Sequence, residues 1–164
     1  MTAKAAEDAG RPLLRHTLAT LAYRGGKTLR GTSPGFATFR VAEGTRTPEQ
    51  ILAHIGDLLD WALALAQGRH VWKNSVPLPW EDEIARFFRG AGLLDAYLAS
   101  GASLACPAER LFQVPIADAL THVGQIAILR RISGAPVKGE NYLKADIAAG
   151  RVGADQTAPG FEFD

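Results

Sequence analysis

Four polar side chains, Asp118, Thr121, His122 and Gln125, interrupt an otherwise apolar stretch from Pro115 to Gly134, PIADALTHVGQIAILRRISG. They recur at intervals of three and four, so on a helix they stack along one face. Carried in both directions, that face takes in Leu111 and Val114 before them and Leu129 and Ile132 after them. The spacing predicts a polar island inside a buried stripe rather than the wet side of an amphipathic helix. A polar group buried without a partner costs about 2–7 kcal/mol, and a carboxylate more. A metal ion would compensate Asp118 and His122 together, because side chains four apart on a helix reach one point beside it.

A second imidazole has a similar setting. Ile51, Ile55, Leu58, Ala62 and Leu65 form the core stripe of an earlier helix. His54 falls between Ile51 and Leu58 in angle and so points inward, with Asp57 and Trp61 following on nearly the same side. His54, Asp118 and His122 from facing helices make a donor set for a divalent transition metal, with two or three positions left for water and a small-molecule substrate. Zinc, nickel, iron and manganese all suit it, whereas the lack of thiolates argues against a closed structural zinc site. Asp57 is a candidate partner to fix the His54 tautomer, and Gln125 to hydrogen-bond backbone or the ligand shell. A shared ion requires the two imidazole rings to lie within about 8 Å of each other. The alternative is a non-catalytic bundle, in which Asp118 and His122 pair within one helix and the island is a hydrogen-bond network or a small-ligand pocket.

The elements that must position these residues are helical. Pro12 opens a first helix carrying Leu14, Leu18, Leu21 and Ala22, with residues 1–10 frayed. It ends at Gly25-Gly26, or runs on to Arg30 if Leu29 keeps its phase. His16 lies opposite that stripe, at the surface or an interface. Gly31 to Gly44 reads as a crossover loop docked by Phe36 and Phe39. Thr47-Pro48-Glu49-Gln50 is a helix start, with Thr47 as N-cap, Pro48 in the first turn and Gln50 closing a capping box; the helix runs to about Gln67. A third helix spans Trp80 to about Ser100, with Glu81, Asp82 and Glu83 in its first turn. A short helical piece at 107–113 precedes Pro115, which makes a fresh start or a kink before the fourth helix. Gly124 in that helix reads as a point of close helix approach, Arg130-Arg131 as a solvated end able to reach an anionic substrate. Trp61, Trp72 and Trp80 read as core and loop anchors. Asn141 to Ala148 suggests one more short helix, and the tail through Phe161 is expected to lie across the bundle or a neighbouring subunit. Four main helices without a strand pattern indicate an all-α, four-helix bundle with long connections, one domain over 1–164 with the bundle at about 10–135 and a C-terminal arm at 136–164.

Composition narrows the partners. Lys and Arg number 18 against 17 Asp and Glu, a net charge of +1 with no basic run, which gives no electrostatic footprint for nucleic acid or an anionic membrane. No apolar run approaches the roughly 18 residues of a membrane span. Cys106 is the only cysteine, which fits a reducing compartment, and MTAKAAEDAGRP has no apolar signal-peptide core, so a cytoplasmic location is expected.

The segments AHIGDLLDWAL and HVGQIAILRRISG resemble motifs of the DinB-like (DinB/YfiT-like) superfamily of four-helix proteins, over roughly residues 10–135. The resemblance implies an up-up-down-down bundle, frequent homodimerisation and a metal site at His54 and His122. Many members complete that site with a histidine four residues before the one matching His122, where this chain has Asp118. The departure implies either a preference for harder metals or an empty, degenerate site. Some relatives transfer low-molecular-weight thiols such as bacillithiol or mycothiol, and others isomerise maleylpyruvate with such a thiol. The implied activity is therefore thiol S-transfer, with the ion holding the thiol as thiolate, or hydrolysis by a metal-activated water.

Overall fold

A computed structural model describes residues 3–163. Helix α1 spans Ala3–Leu29, α2 Pro48–Ala66, α3 Trp80–Ala99, α4 Ala108–Leu111 and α5 Ala117–Ile132, with a π-helical turn at Phe112–Ile116 between the last two. The four long helices close a ring in which α1 packs on α3 and α5, and α2 packs on the same two. Leu18, Leu21, Leu52, Ile55, Leu59, Phe87, Leu94 and Ile126 fill its centre. No helix among the described residues is long and apolar enough to cross a membrane.

Local signals set the helix ends. Thr47 Oγ1 accepts from the Gln50 amide at 3.4 Å, and Gln50 Oε1 accepts from the Thr47 amide at 2.9 Å, the expected capping box. Gly68 then takes a φ of 79° just beyond α2. The loop before α2 docks as expected, with Phe36 buried edge-to-face on Trp80 at 5.8 Å. His16 is exposed, opposite the buried stripe.

Helix α1 departs from its expected bounds at both ends. It begins at Ala3 rather than Pro12, so the part of 1–10 within the described residues is helical. Arg11 holds this early turn to the end of α3, its guanidinium donating to the Leu98 carbonyl at 3.3 Å and to that of Ala102. The helix continues past Gly25-Gly26 because both glycines make room for α3. A Cβ at Gly25 would come 2.5 Å from the Phe87 ring, and one at Gly26 3.2 Å from Phe88. Arg130 is buried, not solvated. It donates to the carbonyls of Thr28 at 2.9 Å and Arg30 at 2.7 Å, and so closes the C-terminal end of α1 from across the bundle.

The C-terminal arm holds turns instead of a helix at Asn141–Ala148. It clips to α1 of its own chain through a two-residue antiparallel pair, β1 (Gly139–Glu140) with β2 (Glu162–Phe163). Glu140 is buried and accepts from Tyr23 Oη at 2.7 Å and Lys27 Nζ at 2.8 Å, while Glu162 meets the same Lys27 at 3.0 Å. Buried Val152 ties the arm into the core. Glu140 draws its partners from residues more than 110 positions earlier, which no local periodicity can signal.

Candidate metal centre

The packing of α2 on α5 brings His54, Asp118 and His122 together, with one ligand atom from each lying within 4.8 Å of the other two. The imidazoles meet edge to face, ring centroids 4.7 Å apart, inside the 8 Å limit for a shared ion. Asp118 presents Oδ2 3.7 Å from His54 Nε2 and Oδ1 3.5 Å from His122 Nε2. Both separations exceed a working hydrogen bond of about 2.7–3.2 Å. They approach the roughly 3.4 Å that separates two ligands of a tetrahedral ion with bonds of about 2.1 Å.

The site is a groove at the bundle surface, not an island in its interior. His122 and Leu129 are buried, but Thr121, Gln125, Val114 and Ile132 are exposed, and the Asp118 side chain is 45% exposed. The stripe expected from Leu111 through Val114 loses its phase at Phe112–Ile116. Pro115 has no N–H, and the helix absorbs the missing donor by widening into a π turn instead of stopping. The wide turn rotates Val114 out to solvent and starts α5 on a new phase, with Ala119, His122, Val123, Ile126 and Leu129 facing the core. Gly124 is not a point of close packing: nothing would meet a Cβ there within 4 Å, and it lines an open cavity.

Gln125 Oε1 lies 2.7 Å from His122 Nδ1. A side-chain amide oxygen can only accept, so Nδ1 donates to it, and Nε2 is the nitrogen turned toward Asp118. Burial, reinforced by the charges of His122 and Arg46, pushes the His54 pKa below the ordinary imidazole value against the opposite pull of Asp118 and Asp57. A neutral imidazole is the form that ligates a metal. Trp72, from the connection between α2 and α3, stands edge-on to His54 at 5.6 Å and to Trp61 at 5.3 Å, roofing one side of the groove.

Asp57 is engaged elsewhere than at His54. Its carboxylate accepts from Ser75 N at 2.8 Å, Ser75 Oγ at 2.6 Å and Arg86 Nη2 at 2.6 Å. Arg86 also donates to Asp60 at 2.8 Å and to the Ala53 carbonyl at 3.2 Å, one residue before His54. A Cβ at Gly56 would sit 2.8 Å from the Arg86 Cζ, so glycine is what admits the guanidinium between α2 and α3. This buried network joins the turn bearing His54 to α3, and through Ser75 to the connection that carries Trp72. An arginine three positions after Glu83 resembles an ordinary surface pair in the sequence, and nothing local marks it as buried.

Two cavities flank the His54–Asp118–His122 group. One, of about 600 Å³, is walled by His54, Gln50, Asn74 and Ser75; the other, of about 650 Å³, by His122, Gln125, Ile51 and Ile128. Thr45 and Arg46 line both, and sequence reasoning passed over them because they precede the N-cap in a loop without periodicity. No protein-family model matches the chain, and searches of curated proteins and of solved structures returned no match.

Proposed function

We propose that the chain is a metal-dependent enzyme of the DinB-like kind, acting by thiol S-transfer or hydrolysis. His54, Asp118 and His122 would hold a divalent transition metal in the groove between α2 and α5. The observation that carries this reading is Asp118, placed between two imidazole nitrogens and too far from either for a hydrogen bond. In the non-catalytic alternative that half-exposed carboxylate is left to solvent, whereas an ion would join it to both imidazoles. When bound, the ion would acidify a coordinated thiol or water so that the anion forms near neutral pH. The protein's own part is to keep His54 neutral, to fix the His122 tautomer through Gln125, and to shield one side of the groove with Trp72. Cavities of this size suit a small organic substrate beside the ion.

The order of the ring supports the bundle type. The first and second long helices occupy one diagonal, and the third and last occupy the other. An up-up-down-down path needs this placement, since it keeps parallel helices apart, and it requires long connections like residues 30–47.

Protein purified without affinity-tag metal is expected to carry, or take up on titration, about one equivalent of a transition metal. His122→Ala should abolish that uptake. No metal on purification together with no uptake of zinc or cobalt(II) would leave a non-catalytic bundle.

A further inference from the structure

We propose that Arg46 is the anion-recognition residue of this centre, selecting small substrates that carry a carboxylate beside their metal-binding atom. The inference rests on the metal reading above and adds the substrate class to it. Arg46 lines both cavities, standing with His54 along one wall and with His122 and Gln125 along the other. Its side chain is exposed, and no hydrogen bond or ion pair engages its guanidinium among the described residues. The other cation of the site, Arg40, donates to the Thr45 carbonyl and braces the loop that carries Arg46. The one carboxylate along these walls, Asp57, is held by Arg86 and Ser75 and cannot neutralise Arg46. The Thr47 and Gln50 amides at the start of α2 are used in the capping box, and Pro48 has no N–H, so the helix end adds little to the side chain as an anion site. A planar guanidinium with a free edge pairs with a carboxylate through two parallel hydrogen bonds, a geometry lysine does not reproduce. The groove thus offers a ligand two anchors: an ion for a sulfur or oxygen atom, and Arg46 for a carboxylate a few bonds away.

The test uses the full chain loaded with cobalt(II), whose visible spectrum reports ligands entering its coordination sphere, titrated with 3-mercaptopropionate and with the uncharged 2-mercaptoethanol. The carboxylate-bearing thiol is expected to bind about tenfold tighter or more. Arg46→Gln should erase that preference while still taking up about one equivalent of cobalt, and Arg46→Lys should keep part of it. Chelation by the probe at the metal alone would survive in Arg46→Gln. Equal affinities in the wild type, or a preference that persists in Arg46→Gln, would overturn the role of Arg46 and leave the metal centre standing. Failure of the wild type to take up cobalt at all would overturn the metal reading and this inference with it.

Discussion

The His54 and His122 rings meet edge to face, their planes 88° apart and their centroids separated by 4.7 Å, although the residues come from helices joined only through long connections. Protonating either ring places a cation against the other. The half-buried His54 therefore has its pKa depressed, first by burial and then by His122 and Arg46. Between that lowered value and the ordinary 6.5, the unfolded chain binds more protons than the folded one, so stability rises with pH across this window. The metal-free protein should lose thermal stability as pH falls from 7.5 to 5.5, and His54→Gln should flatten that dependence. An equal slope in both proteins would show that His54 is not the group responsible.

Gln125 is exposed, yet it holds His122 in one tautomer. Gln125→Leu should leave the melting temperature of the metal-free protein nearly unchanged and weaken metal affinity by about 10–100-fold. Competition against a chelator of known affinity measures the second quantity, and circular dichroism melting the first.

Arg86 is the centre of a buried charge cluster, facing Asp57 at 2.6 Å and Asp60 at 2.8 Å, with Glu83 at 3.8 Å. Arg86→Met would leave Asp57 and Glu83, both almost fully buried, with hydrogen bonds from Ser75 and Leu78 but no countercharge, and should cost about 3–5 kcal/mol in urea unfolding. A loss below about 1 kcal/mol would mean that solvent already reaches the cluster.

The same cluster sets the acid limit. Burial alone would raise the Asp57 pKa, but hydrogen bonds from Arg86 and Ser75, with the guanidinium charge, outweigh it and hold the carboxyl below its ordinary 3.8. The stability that Asp57 contributes is therefore complete above the unfolded value and is lost as pH falls through the folded one. Asp57→Asn should be less stable at neutral pH and lose less on acidification below pH 4, read from unfolding midpoints between pH 2.5 and 7.

Two glycines should respond oppositely to alanine. At Gly25 the new methyl would press on the fully buried Phe87 ring, an overpacking cost of about 1–3 kcal/mol. At Gly124 it meets open space within a helix and should stabilise by about 0.5–1 kcal/mol. Thermal melts of the two variants decide the matter.

The sequence by itself determined what depends on neighbours a turn or two apart. The Thr47–Gln50 capping box, the α2 and α3 boundaries and the shared face of Asp118 and His122 all follow from spacings of three and four, which backbone geometry turns directly into contact. The mostly helical architecture follows from the same periodicities. Only the tertiary structure decided which faces met and how deeply. It seated Arg130 on carbonyls about a hundred positions earlier. It committed Asp57 to Arg86 and Ser75, and clipped Glu140 onto Tyr23 and Lys27. It also placed the His54–Asp118–His122 group in a surface groove and not in the interior, because α5 turns Ala119, Val123 and Ile126 to the core and leaves Thr121 and Gln125 outside. A helical repeat says which residues share a stripe. Whether a charged member of that stripe is solvated, paired or left for a ligand depends on what the neighbouring helix places opposite it, and that is a property of packing.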